Sequence, residues 1–167
     1  MRAINSVGNI GYAQDTVTVV EAVPPVASFS YSTPYKKKPT TFNASDSYDP
    51  DGTIVSYTWD FGDGNITTTT DPIVIHVYAN VDNYTVILNV TDSQGLWSTA
   101  TADITVKLMG DLNGDCVVNI LDLAIVARAY GTRPGDEYWN PIADVERDGE
   151  INILDISKVA KEYDQKC

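Results

Sequence analysis

Hydrophobic and polar positions alternate along the first two thirds of the chain. Ile54-Val55-Ser56-Tyr57-Thr58-Trp59, Ile73-Val74-Ile75-His76-Val77-Tyr78 and Tyr84-Thr85-Val86-Ile87-Leu88-Asn89-Val90 are separated by turns rich in Asp, Gly, Asn and Pro. Such short segments with period two predict an antiparallel β-sandwich. Near Lys107 the period changes. Leu123, Val126, Ala127 and Tyr130, and again Ile156, Val159, Ala160 and Tyr163, fall at i, i+3, i+4 and i+7, which predicts two short amphipathic helices packing through those residues. The expected fold class is mainly β with a small α module, divided as residues 1–22, 23–107 and 108–167.

Two internal repeats refine this division. Asp111 to Asp122 aligns with Asp144 to Asp155 at an offset of 33, so the helical part is a duplicated loop-helix unit. Asn5-Ser6-Val7-Gly8 aligns with Asp92-Ser93-Gln94-Gly95, and Val17-Thr18-Val19 with Ile104-Thr105-Val106, both at an offset of 87. Residues 1–22 therefore read either as the closing hairpin of a preceding sandwich or as a strand given to a neighbouring subunit.

Composition narrows the function. The chain has 167 residues, 43% hydrophobic, with 11 basic against 23 acidic side chains and a net charge of −12. It can bury real cores, and the charge argues against nucleic acid and anionic membrane as partners. No apolar run approaches the roughly 20 residues of a membrane helix, and the start lacks the basic-then-apolar pattern of a secretory signal. If the protein is secreted, this chain is expected not to be its whole precursor.

Pro24-Pro25-Val26-Ala27-Ser28-Phe29, Asn43-Ala44-Ser45-Asp46-Ser47-Tyr48-Asp49-Pro50-Asp51-Gly52 and Trp59-Asp60-Phe61-Gly62-Asp63-Gly64 resemble a PKD-type domain. The resemblance implies an immunoglobulin-like sandwich used as a spacer or weak binding module in extracellular proteins. Some members of that family hold a cation, which here points to Asn43, Asp49 and Asp51. Trp59 and Phe61 are expected to face inward, with Asp60 and Asp63 as turn acceptors rather than catalytic acids. Four sequons make Asn43, Asn65, Asn83 and Asn89 candidates for glycosylation. Lys36-Lys37-Lys38 reads as a solvated turn and His76 as structural.

The duplicated unit carries the chemistry. A twelve-residue calcium loop places oxygen ligands at positions 1, 3, 5, 7 and 12, with position 9 often acting through water. The first loop then offers Asp111, Asn113, Asp115, the Val117 carbonyl, Asn119 and Asp122. The second offers Asp144, Glu146, Asp148, the Glu150 carbonyl, Asn152 and Asp155. Acidic turns that merely cap two helices would not require Asp or Asn at five spaced positions twice. Residues 107–167 hold 7 basic and 12 acidic side chains, so without metal the loops repel themselves and calcium binding should be coupled to folding.

Loop followed by helix, duplicated, with Asn at position 9 and Asp at position 12, resembles a dockerin domain. This implies two Ca²⁺ ions and a cohesin-like protein partner. Two departures stand out: Cys116 occupies position 6, where Gly is usual, and Glu146 occupies position 3, where Asn is usual. Cys116 and Cys167 suit an intramolecular disulfide clasp, with free thiols or interchain bonds as the alternatives. Leu121 and Leu154 point away from the helical core stripes and are expected to be exposed. Ile125 and Arg128 share the outer face of the first helix, and Lys158 and Lys161 that of the second. In dockerins this face, with loop positions 10 and 11, contacts the partner; here those pairs are Ile120-Leu121 and Ile153-Leu154. The competing expectation is that the sandwich or the Tyr138-Trp139-Asn140-Pro141 connector covers them.

Nothing in the chain resembles an active site, so it is expected to be non-enzymatic. Three readings follow. A dockerin-like tail on a PKD-type spacer docks an extracellular or cell-surface protein to its partner. Alternatively, copies of the chain assemble into a filament or tube by N-terminal strand addition, or the chain is the non-catalytic end of a secreted hydrolase.

Overall fold

Among the described residues, alternation along the upstream half produces seven strands. They are β1 (Ser30–Tyr31), β2 (Pro39–Asn43), β3 (Ile54–Asp60), β4 (Ile66–Thr69), β5 (Ile73–Val77), β6 (Asn83–Asp92) and β7 (Trp97–Thr105), with α1 (Ile120–Arg128) and α2 (Ile153–Lys161) downstream. The computed structural model describes residues 21–167. The proposed hairpin or donor strand of residues 1–22 lies almost wholly outside that range. Two antiparallel sheets, ordered β1-β2-β5 and β4-β3-β6-β7, face each other as a sandwich.

Inward positions of the two sheets close over Phe42, Tyr57, Trp59, Phe61, Tyr78, Val86, Leu88 and Val90. Trp59 and Phe61 are both buried, as their alternation requires, and their rings stack in parallel 6.4 Å apart. The strand then turns sharply. Gly62 has φ 77° and lies so close to β6 that a Cβ there would meet the Thr85 carbonyl oxygen at 2.6 Å, so only glycine fits. Asp60 Oδ1 accepts from Gly62 N at 2.9 Å and Asp63 Oδ1 from Asn65 N at 3.1 Å, the turn-acceptor roles expected of them. His76, on the opposite sheet, stacks on Phe61 and reaches Asp63 Oδ2 at 2.7 Å, which ties the two sheets together.

A second core of Leu108, Val118, Val126, Ala129, Ala143, Ile151 and Val159 lies under the helices. The expected helical stripes need correction. Val126 and Val159 are buried, but Ala127, Tyr130, Ala160 and Tyr163 are exposed. Both helices are only nine residues long, so Tyr130 and Tyr163 fall beyond their ends, and the inner face is completed by Asp122, Asp155 and Ala129.

The repeats embrace each other. After α2 the chain returns to the first loop, where Val118 N donates to Gln165 O, Asp164 N to Val118 O and Cys167 N to Cys116 O. After α1 it returns to the second loop, where Gly131 N donates to Ile151 O and Ile151 N to Thr132 O. Each loop is thus closed by the segment that follows the other helix. Cys116 is disulfide-bonded to Cys167 within the chain.

Lys36-Lys37-Lys38 is not simply a solvated turn. Lys36 Nζ donates to the Lys166 carbonyl at 2.7 Å, and Lys38 Nζ pairs with Glu162 at 2.6 Å. Arg147 donates to Thr33 Oγ1, and Val81 of the sandwich packs against the helical core. A cleft of about 610 Å³ remains between the two parts, lined in part by Tyr35, Val81, Met109, Leu112, Ile142 and Val145.

Candidate metal centres

Each loop begins with a carboxylate turned inward onto its own backbone. Asp111 Oδ1 accepts from Gly114 N and Asp115 N, and its Oδ2 from Cys116 N at 3.0 Å. Asp144 repeats this with Asp148 N and, at 3.0 Å, Gly149 N. Such wrapping needs left-handed residues at positions 4 and 6. Gly114 (φ 78°) and Cys116 (φ 68°) supply them in the first loop, Arg147 (φ 60°) and Gly149 (φ 82°) in the second.

The twelfth residues close the loops. Asp122 is fully buried, accepting from Leu112 N, Asn113 N and Asn119 N; Asp155, equally buried, accepts from Glu146 N and Asn152 N. Asn119 and Asn152 are N-caps, accepting from Leu121 N and Leu154 N at 2.8 Å, and form capping boxes with Asp122 and Asp155. Capping therefore uses the same residues that the loop spacing makes candidate ligands. The Asn119 Nδ2 faces Asp115 and the Val117 carbonyl, and Asn152 Nδ2 faces Asp148 and the Glu150 carbonyl.

Carboxylate oxygens of Asp111, Asp115 and Asp122 lie within 4.8 Å of one another. Like charges this close repel strongly, and a divalent cation relieves them. The set is all oxygen and hard, with the Val117 carbonyl and Asn113 at hand, which fits Ca²⁺. In the second loop Asp144, Asp148 and Asp155 keep matching backbone partners. Glu146 instead turns its carboxylate to Lys158 at 3.2 Å, and the Glu150 side chain pairs with Arg133 at 2.8 Å. The PKD-type cation expectation meets a mixed outcome. Asn43 Oδ1 accepts from Ser45 N and Asp51 Oδ2 from Val23 N, while Asp49 Oδ2 is buried without a hydrogen-bond partner.

Ile120 (64% exposed), Leu121 (58%), Ile153 (61%) and Leu154 (56%) face solvent, uncovered by the sandwich or the connector. Ile125 packs partly into the core and, with Arg128, lines a groove against Tyr138 and Trp139 of the connector. Lys161 is exposed and Lys158 half-buried. The two outer faces are therefore not equivalent. Among the sequons, Asn65 and Asn83 are exposed and Asn43 and Asn89 half-buried.

Family models match in the same order as the two structural parts. A PKD domain model covers residues 22–106 and a dockerin type I domain model residues 109–162. The chain belongs to the PKD-domain family and continues into a dockerin type I domain. Dockerin type I domains bind calcium, and both domain types are non-catalytic modules. The chain is 46% identical over 81 residues to a microbial collagenase of Vibrio alginolyticus, covering 47% of this chain and 10% of that protein. It is 44% identical over 71 residues to collagenase ColQ1 of Bacillus cereus, covering 42% of this chain and 7% of that one. It thus spans a tenth or less of those relatives. A solved structure from a study of promiscuous carbohydrate-binding modules of the β-sandwich superfamily is 45% identical, with a TM-score of 0.52, over 53% of this chain and 36% of that one.

Proposed function

We propose that this chain is a non-catalytic, extracellular or cell-surface assembly module whose dockerin domain, loaded with two Ca²⁺ ions, docks onto a cohesin-like protein while the PKD domain acts as spacer. Asp111, Asn113, Asp115, the Val117 carbonyl and Asp122 hold one ion, with Asn119 bound through water. Asp144, Asp148, the Glu150 carbonyl and Asp155 hold the other, joined by Glu146 once it leaves Lys158 and by Asn152 through water. The carrying observation is that each calcium loop runs straight into an exposed Ile-Leu pair at the start of its helix.

Ile120, Leu121, Ile153 and Leu154 form the apolar centre of the docking surface, with Ile125, Arg128, Lys158 and Lys161 around it. Sedimentation with a cohesin domain tests this. Complex formation in calcium and none in EGTA is expected. Leu121→Asp should weaken it modestly, and Leu121→Asp with Leu154→Asp should remove at least 2 kcal/mol, on the order of a hot-spot contact. Unchanged binding by the double variant would refute the docking surface. The collagenase relatives favour a compatible second reading, in which this module belongs to a larger secreted hydrolase. Intact mass of the native protein would test it.

A further inference from the structure

The two loops differ in how they are held at position 6 and across their mouths. In the second loop position 6 is Gly149, which adopts φ 82° at no steric penalty, and the mouth is crossed by an exposed Arg133–Glu150 ion pair. In the first loop position 6 is Cys116 at φ 68°, a conformation disfavoured roughly tenfold for a residue with a side chain. The mouth there is crossed by the disulfide to Cys167. Both sulfurs lie within 4.8 Å of an Asp111 carboxylate oxygen. The Cys116 N–H, whose direction depends on that left-handed turn, holds Asp111 Oδ2 at 3.0 Å. Gly149 N holds Asp144 Oδ2 at the same distance without any covalent restraint.

We propose that the Cys116–Cys167 disulfide is a redox switch for the first calcium loop alone. Closed, it holds Cys116 left-handed and Asp111 in place. A dithiol that donates two electrons and two protons leaves two thiols and becomes a disulfide itself. Cys116 then relaxes toward negative φ, the N–H to Asp111 is lost and the first loop weakens. The second loop keeps its affinity because its position 6 is glycine and its left-handed Arg147 at position 4 already stands without a disulfide, so reduction changes nothing there.

This inference rests on the calcium reading above, and calorimetric titration of the full chain tests both separately. Asp148→Asn disables the second loop and Asp115→Asn the first, so each variant reports on the loop left intact. Reduction should weaken calcium binding by Asp148→Asn about tenfold and leave Asp115→Asn unchanged. Cys116→Ser with Cys167→Ser should resemble the reduced chain. Cys116→Gly with Cys167→Ser should recover first-loop affinity whether or not reductant is present. Equal weakening of both loops, no weakening of either, or a glycine variant as weak as the serine one would overturn the switch. If the oxidised chain takes up no calcium at all, the calcium reading itself falls.

Discussion

At the scale of single residues, buried carboxylates do two jobs that can be separated. Asp122 accepts three backbone N–H groups while fully buried, so it frames the loop besides facing the cation position. Hydrogen bonds to a charged acceptor are each worth about 1.5–3 kcal/mol. Asp122→Ala should therefore destabilise the calcium-loaded helical domain by roughly 3 kcal/mol or more. Asp115→Asn, on an exposed side chain, should mainly weaken calcium binding. Thermal unfolding in saturating calcium, set beside calorimetric titration with calcium, checks the contrast. Asp63 gives a second residue-scale test. Burial pushes its carboxyl up, but the His76 hydrogen bond, the Asn65 hydrogen bonds and the His76 charge outweigh this and hold it below its ordinary range. A folded value below the unfolded one, about 3.9, gives stability that is full above that pH and lost as pH falls through the folded value. The sandwich melting temperature should thus drop on acidification below about pH 4, and Asp63→Asn should flatten that drop.

At the scale of elements, each helix is nine residues long and could not persist alone. Each depends on a capping box whose parts belong to an acidic loop and on a small core built around Val126 or Val159. The strands draw on a different core, with Trp59, Phe42 and Leu88 at its centre. Chelation should therefore remove the helical circular dichroism signal while the β signal and its unfolding transition persist. Calorimetry would then show one transition in EGTA and two in calcium. Simultaneous loss of both signals would mean that the cores are not independent.

At the scale of the whole molecule, side chains of the sandwich make hydrogen bonds and an ion pair with the dockerin domain at Arg147, Glu162, Lys166 and Cys167. All belong to the second loop, the end of α2 or the returning tail, the parts whose order depends on the duplicated unit being folded. The Lys38–Glu162 pair is worth about 0.5 kcal/mol by itself, since an exposed lysine gains little from an ion pair. Orientation between the domains should then loosen as a unit when calcium is withdrawn. Small-angle scattering should report a larger radius of gyration in EGTA than in calcium, and an unchanged profile would contradict this.

The sequence by itself determined the two domains, the strand periodicity, the loop repeat and the exposed Ile-Leu pairs, because each is a local pattern read within a dozen residues or a duplication read by offset. The Asp-Gly turn after Trp59 was legible for the same reason. What only the tertiary structure decided comes from segments distant in sequence. The Cys116–Cys167 bond spans a separation of 51 residues, and the sequence leaves free thiols and interchain bonds beside it; the tail lying along the first loop decides for the clasp. Lysine contacts to the α2 end were invisible because nothing local in Lys36-Lys37-Lys38 specifies a partner more than a hundred residues away. The stripes through Tyr130 and Tyr163 failed because periodicity does not mark where a helix stops, and the chain must leave each helix early to close the opposite loop.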